Sequence, residues 1–325
     1  MKDYRHLVTG ALQATEISSP TSYRWFGALS APIPPDAEAA MSAEDARRFL
    51  HYALKNRLYA DFYCPGEARP PLEPLSSPSR VGGTSAFLAT LSEANQGSGS
   101  REGGWQVIRT DGEFLVVERQ GLQVWAHPRE VSDEGGRVTV TMPKELFRLS
   151  PGFYMALSDC ELPEEDFSQQ IRYYFNLQPG AAAALMRSLT TGLNRGRVAF
   201  RLKVVDDANR YSRSDAGVLY AHRRDLPAVL AQVEMSCREL DPPLKPSTPA
   251  FVQELAPGLG FAENPPDASE SFGTSRCELL AEALLRAHEQ SIVEINDQLA
   301  IVDECFAQAG LTLEAPYLNS RADNA

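Results

Sequence analysis

The residues best suited to chemistry lie between Arg195 and Arg224. In that thirty-residue stretch Arg195, Arg197, Arg201, Lys203, Arg210, Arg213, Arg223 and Arg224 meet only Asp206, Asp207 and Asp215, a local charge of +5 in a chain of net charge −12. Alternation puts Val198, Phe200, Leu202 and Val204 on one face of a strand and Arg197, Ala199, Arg201 and Lys203 on the other. Arg201 and Lys203 then stand side by side, and Tyr211, Arg213 and Asp215 share a parity just before the apolar run Ala216 to Tyr220. Two basic pairs with a tyrosine and a carboxylate beside them suit a small dense anion such as phosphate. Arginine supplies a rigid bidentate fork, and lysine a group whose proton can be moved. Ser271 to Arg276 adds a turn and one more cation, Arg276, at the start of the final helix, where backbone amides would face the same anion. Tyr211 and His222 are the candidate proton donors. Each residue also has a plainer reading. Asp215 is equally placed to be the salt-bridge partner of Arg213, Tyr211 or Tyr220 to sit at a core edge with a wet hydroxyl, and His222 to be ordinary surface. Trp25, Trp105 and Trp125 read as core.

Other chemistries lack their residues. HxxxH, HExxH, clustered Asp and paired Cys do not occur, so neither a tightly held metal nor a cofactor is expected. There is no P-loop, dinucleotide fingerprint or GxSxG. Cys64, Cys160, Cys237, Cys277 and Cys305 are single and odd in number, which fits a reducing compartment rather than a disulfide framework. An isoelectric point near 5.0 disfavours nucleic acid as a partner. No stretch is apolar enough to span a bilayer, and the first residues lack a signal-peptide pattern, so the expectation is a cytoplasmic protein with no membrane contact.

The elements that must position these residues follow from pattern. Residues 1–64 read as a mostly helical unit, with Ser42, Glu44 and Asp45 opening a helix through Leu58 after a break at Pro32, Pro34 and Pro35. Tyr23, Trp25 and Phe26 read as an aromatic anchor. Residues 65–104 read as a connector, stiff where Pro65, Pro70, Pro71, Pro74 and Pro78 fall and mobile from Ser92 to Gly104. Residues 105–315 read as an α+β body. It opens with an antiparallel meander over 105–108, 112–117, 122–125 and 137–140, punctuated by Asp111-Gly112, Gln120-Gly121 and Gly135-Gly136. A mixed strand-helix region follows, with strands at 153–157 and 172–177 and helices at 180–190 and 225–240. The last helix begins near Ser275, is broken near Ser291 and continues through Cys305. The fold class is therefore α+β.

Residues 172–220 and 251–285 resemble the HopA1 effector-like family, through RYYFNL, LTTGLN, FRLKVVDDANRYSRSDAGVLY and ELAPGLGFAENPPDASESFGTSRCELLAEAL. Members of that family are bacterial type III effectors, or stand beside a phosphotransferase in pathways for ribosomally made, modified peptides such as class V lanthipeptides and thioamitides. In the second setting the resemblance implies elimination of phosphate from phosphoserine or phosphothreonine of a precursor peptide, giving dehydroalanine or dehydrobutyrine. A kinase-like phosphotransferase is then the expected protein partner.

Such an elimination needs a base for the α-proton, neutralisation of the carbonyl, and cations with an acid for the departing phosphate. Lys203 is the candidate base, because like charge from Arg201 and Arg213 favours its neutral amine. Arg201, Arg213 and Arg276 are the candidate phosphate ligands, Asp215 the orienting carboxylate, and Tyr211 or His222 the acid. The competing expectation is a module that binds a phosphopeptide or a protein without chemistry, in which the arginines matter and Lys203 does not. A third is a structural helper for which the basic residues are dispensable.

Overall fold

The computed structural model describes residues 2–65, 85–133, 135, 138–147, 149–161, 169–265 and 270–319. The proline-rich part of the expected connector, residues 66–84, lies outside them. Helix α1 (Tyr4–Ala14) leads into a small sheet of β1 (Thr15–Ser19), β2 (Ser22–Trp25) and β3 (Ala28–Leu29), followed by the short α2 (Pro35–Ala39) and by α3 (Ala43–Leu58). Ser42 caps α3 as expected, its Oγ accepting from the Asp45 amide at 3.1 Å, and Glu44 and Asp45 complement the helix dipole. Ala46, Leu50, Leu54 and Leu58 form the buried stripe of α3, and the chain then continues into one π-helical turn, Tyr59–Tyr63. The aromatic anchor is only partial. Tyr23 is buried and Trp25 half-buried, but Phe26 is exposed at a left-handed turn position.

Only the middle of the glycine-rich half of the connector, residues 95–100, is loop. Helix α4 (Ser85–Ala94) fills its start and β4 (Arg101–Asp111) its end. Between them the amides of Ser98 and Gly99 donate to one Asp159 carboxylate oxygen at 2.6 and 2.9 Å. Gly99 is required there, since its φ is +91° and a Cβ would overlap the Met142 carbonyl.

The meander is present. Strands β4, β5 (Phe114–Arg119), β6 (Leu122–Ala126), β7 (Val131–Asp133) and β8 (Val138–Thr141) make a five-stranded antiparallel sheet in the order β6-β5-β4-β8-β7. Its core is Trp105, Val117, Ala126, Val138 and Val140. Trp125 is not core but 55 % exposed, its indole donating to Asp111 at 3.0 Å.

The second large sheet has seven antiparallel strands in the order β14-β15-β11-β13-β12-β10-β9. In chain order it comprises β9 (Glu145–Phe147), β10 (Phe153–Leu157), β11 (Gln170–Phe175), α5 (Ala182–Arg195), β12 (Phe200–Val205), β13 (Gly217–His222), α6 (Leu226–Arg238), β14 (Gln253–Ala256) and β15 (Leu259–Glu263). Helices α7 (Phe272–Glu289) and α8 (Ile295–Gln308) follow, separated around Ser291 as the pattern predicts. Ile171, Tyr173, Phe175, Phe200, Leu202, Leu219 and Ala221 pack in one apolar cluster with residues of α4, α5 and α6. Tyr174, Val218 and Ala262, from the opposite face, join a second cluster with α1, α3, α7 and α8. The sheet is thus covered on both sides, and its charged positions Arg172, Arg201 and Lys203 share the face toward the second cluster.

Candidate functional site

Strand β12 alternates as its sequence demands, with Phe200, Leu202 and Val204 in the core and Arg201 and Lys203 half-buried on the other face. Pairing then sets their neighbours, because residues opposite one another in a sheet share a face. Arg201 lies opposite Tyr220 of β13, and Tyr220 opposite Arg172 of β11. The next row on that face is Lys203, Val218 and Tyr174. The aromatic ring of Tyr220 is approached by the charged groups of Arg172 at 5.1 Å, Lys203 at 5.7 Å and Arg201 at 6.0 Å from its centre. Phe153 of β10 forms a second ring surface, with Lys203 Nζ 4.5 Å and the Arg213 guanidinium 5.1 Å from its centre. Four cations are therefore gathered about two rings, an arrangement in which cation–π attraction offsets part of their mutual repulsion.

Arg213 reaches this group from the loop before β13 and is gripped by Asp215, with Nε on Oδ1 and Nη2 2.9 Å from Oδ2. Asp215 is buried and also accepts from the Cys64 thiol at 3.0 Å, which itself lies 3.3 Å from Ser214 Oγ. Cys64 is delivered by the π turn after α3, where Tyr59 and Tyr63 stack with ring centres 5.3 Å apart. The electrostatics follow from these contacts. Burial raises the Asp215 carboxyl, but Arg213, the Cys64 donor and Lys203 outweigh it and hold the group below the usual carboxylate range. Burial, with Asp215 beside it, pushes the Cys64 thiol up to about 12, so it is a donor and not a thiolate. For Tyr220 burial again opposes ionisation, yet Lys203 and Arg172 prevail and make it a stronger acid than an ordinary phenol.

Four of the seven residues chosen from sequence meet here: Arg201, Lys203, Arg213 and Asp215. Three do not. The Tyr211 hydroxyl donates to the Val205 carbonyl at 2.7 Å, and its ring packs edge-on to Phe87 in the apolar cluster, where burial raises the phenol. His222 is two residues beyond Tyr220 and four beyond the Lys203 row, about 13 Å along the strand. Its Nδ1 accepts from the Arg224 amide at 3.1 Å and so caps the turn Arg223–Asp225. Arg276 is 1 % exposed, because α7 starts at Phe272 and turns it inward. Its Nε and Nη2 donate to the Pro316 and Leu318 carbonyls at 2.7 and 3.4 Å, its guanidinium covers Phe272, and burial lowers its pKa to about 10. It fastens the C-terminal segment to α7. Tyr220 and Arg172 stand where sequence reasoning had put Tyr211 and Arg276. Arg172, Tyr174 and Asn176 alternate within the strand expected at 172–177, but a single strand does not state the register that brings them to β13.

Among the described residues no group of three or more His, Cys, Asp or Glu is placed to hold a metal ion, and no helix is long and apolar enough to cross a membrane. The model of the HopA1 effector protein family matches residues 144–318. Among solved structures, the effector protein from Pseudomonas syringae pv. tomato strain DC3000 aligns with 20 % identity and a TM-score of 0.46, over 74 % of this chain and 84 % of that one. The effector protein from Pseudomonas syringae pv. syringae strain 61 aligns with 17 % identity and a TM-score of 0.44, over 73 % and 81 %. No curated protein matches the chain.

Proposed function

We propose, from the premise that this chain belongs to the HopA1 effector protein family, that the Lys203 face binds a phosphorylated serine or threonine of a peptide and eliminates its phosphate. Arg201 and Arg213 take the phosphate oxygens, with Asp215 keeping the Arg213 fork oriented. Lys203 Nζ removes the Cα proton. The electron pair left behind forms the Cα=Cβ bond, the Cβ–O bond breaks, and its electrons depart on phosphate. Tyr220 supplies a proton to the leaving oxygen, the part first given to Tyr211 or His222. The products are a dehydroalanine or dehydrobutyrine residue and free phosphate, and a kinase-like phosphotransferase is the reaction that must supply the substrate. The observation that carries this reading is the placement of Tyr220, whose ring has Arg172, Lys203 and Arg201 at 5.1, 5.7 and 6.0 Å from its centre and so sets a phenol hydroxyl among the base and the phosphate ligands.

Mass spectrometry of a synthetic phosphothreonine peptide tests it. Wild-type protein is expected to remove the whole phosphoric acid, and Lys203→Ala to form about 100-fold less of the dehydrated product, the scale of a lost general base. Arg213→Ala should weaken both binding and turnover. An alcohol product would make the protein a phosphatase. Peptide that is bound but left intact favours a second reading, a phosphopeptide-binding module without chemistry. Arg213 supports that reading as well: Asp215 holds its Nε–Nη2 edge, and the remaining edge of the guanidinium can meet an anion whether or not a bond breaks.

A further inference from the structure

Two polar groups on the same face, Arg172 and Tyr174, touch no atom of the substrate in that scheme. Arg172, 8 % exposed, donates from Nε to Asn264 Oδ1 at 2.6 Å, and the largest influences on its charge besides burial are Tyr174, Tyr220 and Tyr63. A guanidinium this deeply buried ordinarily has an anionic partner, because desolvating an unpaired charge is costly. Tyr174, 3 % exposed, projects its hydroxyl into the same space, where Arg172 and Tyr63 are its polar neighbours but no hydrogen bond of good geometry reaches it among the described residues. A buried hydroxyl in that condition destabilises a fold. The contrast with Arg276 is instructive. It is buried more deeply, but its donors end on backbone carbonyls and the Glu263 carboxylate acts on its charge, so it is spent on the fold. Arg172 and Tyr174 are adjacent on one face of β11, and Tyr220 alone separates Arg172 from the phosphate-facing Arg201 in their cross-strand row.

We propose that the Arg172 guanidinium and the Tyr174 hydroxyl form a second oxygen-binding subsite, which takes the backbone carbonyl oxygen of the phosphorylated residue. This rests on the reading of the Lys203 face as the phosphate site. A phosphorylated residue carries its phosphate and its own carbonyl a few bonds apart across Cα and Cβ. With phosphate on Arg201 and Arg213 and the carbonyl on Arg172 and Tyr174, Cα lies over Tyr220 and within the span of Lys203. Loss of the Cα proton places negative charge on that carbonyl oxygen, and a buried cation with a preset donor stabilises it. Two donors on one rigid strand lose little orientational freedom when the oxygen arrives, and a groove of this kind reads the peptide backbone rather than the side chains around it.

Tyr174→Phe, which removes one atom and leaves the packing intact, separates this proposal from the one beneath it. With the unpaired hydroxyl gone, the free protein should melt about two degrees higher. Affinity for a phosphothreonine peptide should fall about tenfold, while affinity for inorganic phosphate stays as in wild type. Arg213→Ala should weaken both ligands together. Unchanged peptide affinity in Tyr174→Phe, or an equal loss for peptide and inorganic phosphate, overturns the carbonyl subsite while leaving the phosphate site standing. Wild-type protein that binds neither ligand overturns both.

Discussion

The five-stranded meander keeps its charges at the surface around a thin apolar core, whereas the seven-stranded sheet is covered on both faces and still holds Arg172, Asp215, Glu263 and Arg276 away from solvent. Burying charge costs more than burying a methyl group, so each such residue must be accounted for either by the fold or by function. Glu263 is held by Arg223 and by the Asn319 amide, and Arg276 by the C-terminal carbonyls. These are fold devices. Arg172 is held by Asn264 and Asp215 by the Cys64 turn, but both stand on or beside the face that carries Lys203. The match to the family model, residues 144–318, begins just before β9 and leaves the meander out. The two sheets therefore differ in what their polar residues are for, and substitutions in each should behave differently.

The largest difference is expected at Asp215. Asp215→Ala leaves Arg213 buried without its partner and should cost about 3–5 kcal/mol. Glu102→Ala, which breaks the Arg119 pair on the meander, should cost about 1 kcal/mol or less because that pair is more accessible to water. Urea unfolding of the two variants gives the comparison, and similar midpoints would dissolve it. The sign of the pH dependence follows from the depressed Asp215 carboxyl. Its contribution is complete above the unfolded-state value of about 4 and is lost as pH falls toward the lower folded value. Asp215→Asn should remove that acid-side loss.

A smaller effect is expected at Gly273, in the first turn of α7, where a Cβ would overlap the Tyr63 ring. Gly273→Ala must displace Tyr63, at about 1–3 kcal/mol for overpacking, and should also weaken phosphopeptide binding, since Tyr63 packs beside Tyr174 and the Cys64 turn. Loss of stability with binding untouched would cut the link between the π turn and the site.

How much of this was legible depended on the range of the interactions. Arg201 and Lys203 were readable because alternation along β12 is local, and the meander because its turns announce themselves with Gly after Asp or Gln. Tyr220 and Arg172 belong to the site through the register of β11, β13 and β12, and nothing in a single strand states its register with a strand fifty residues away. Arg276 misled because a helix start offers amides to an anion, while the carbonyls that consume its donors come from residues 316 and 318. Cys64 gave no signal at all. A lone cysteine after a proline-free helix does not foretell a π turn that carries it to Asp215.

Tyr220 sharpens the comparison spectroscopically. Its phenol ionises below the ordinary value of about 10, so between its folded value and about 10 the folded chain has already released a proton that the unfolded chain retains. The stability contributed by this group therefore rises with pH across that window. Tyr59, Tyr63 and Tyr174 are raised by burial and ionise only above it. Absorbance titration should show one early phenolate step that Tyr220→Phe removes and Lys203→Met moves to higher pH. An early step that survives in Tyr220→Phe would mean that the acid in the row is another group.

The smallest effect is expected on the other sheet, at Trp125. The ring is mostly exposed, its indole donates to Asp111, and Arg109 lies 6.0 Å from its centre. Trp125→Ala removes one surface hydrogen bond and one exposed cation–π contact, together about 0.5–1 kcal/mol. Val107, Ile108 and Leu122 are exposed on the same sheet, so a large apolar side chain at its surface is not peculiar to this position. If the division of labour between the sheets holds, phosphopeptide affinity in Trp125→Ala equals that of wild type. A variant of normal stability that binds the peptide several-fold more weakly would put the meander on the path of the peptide and make the site a property of both sheets.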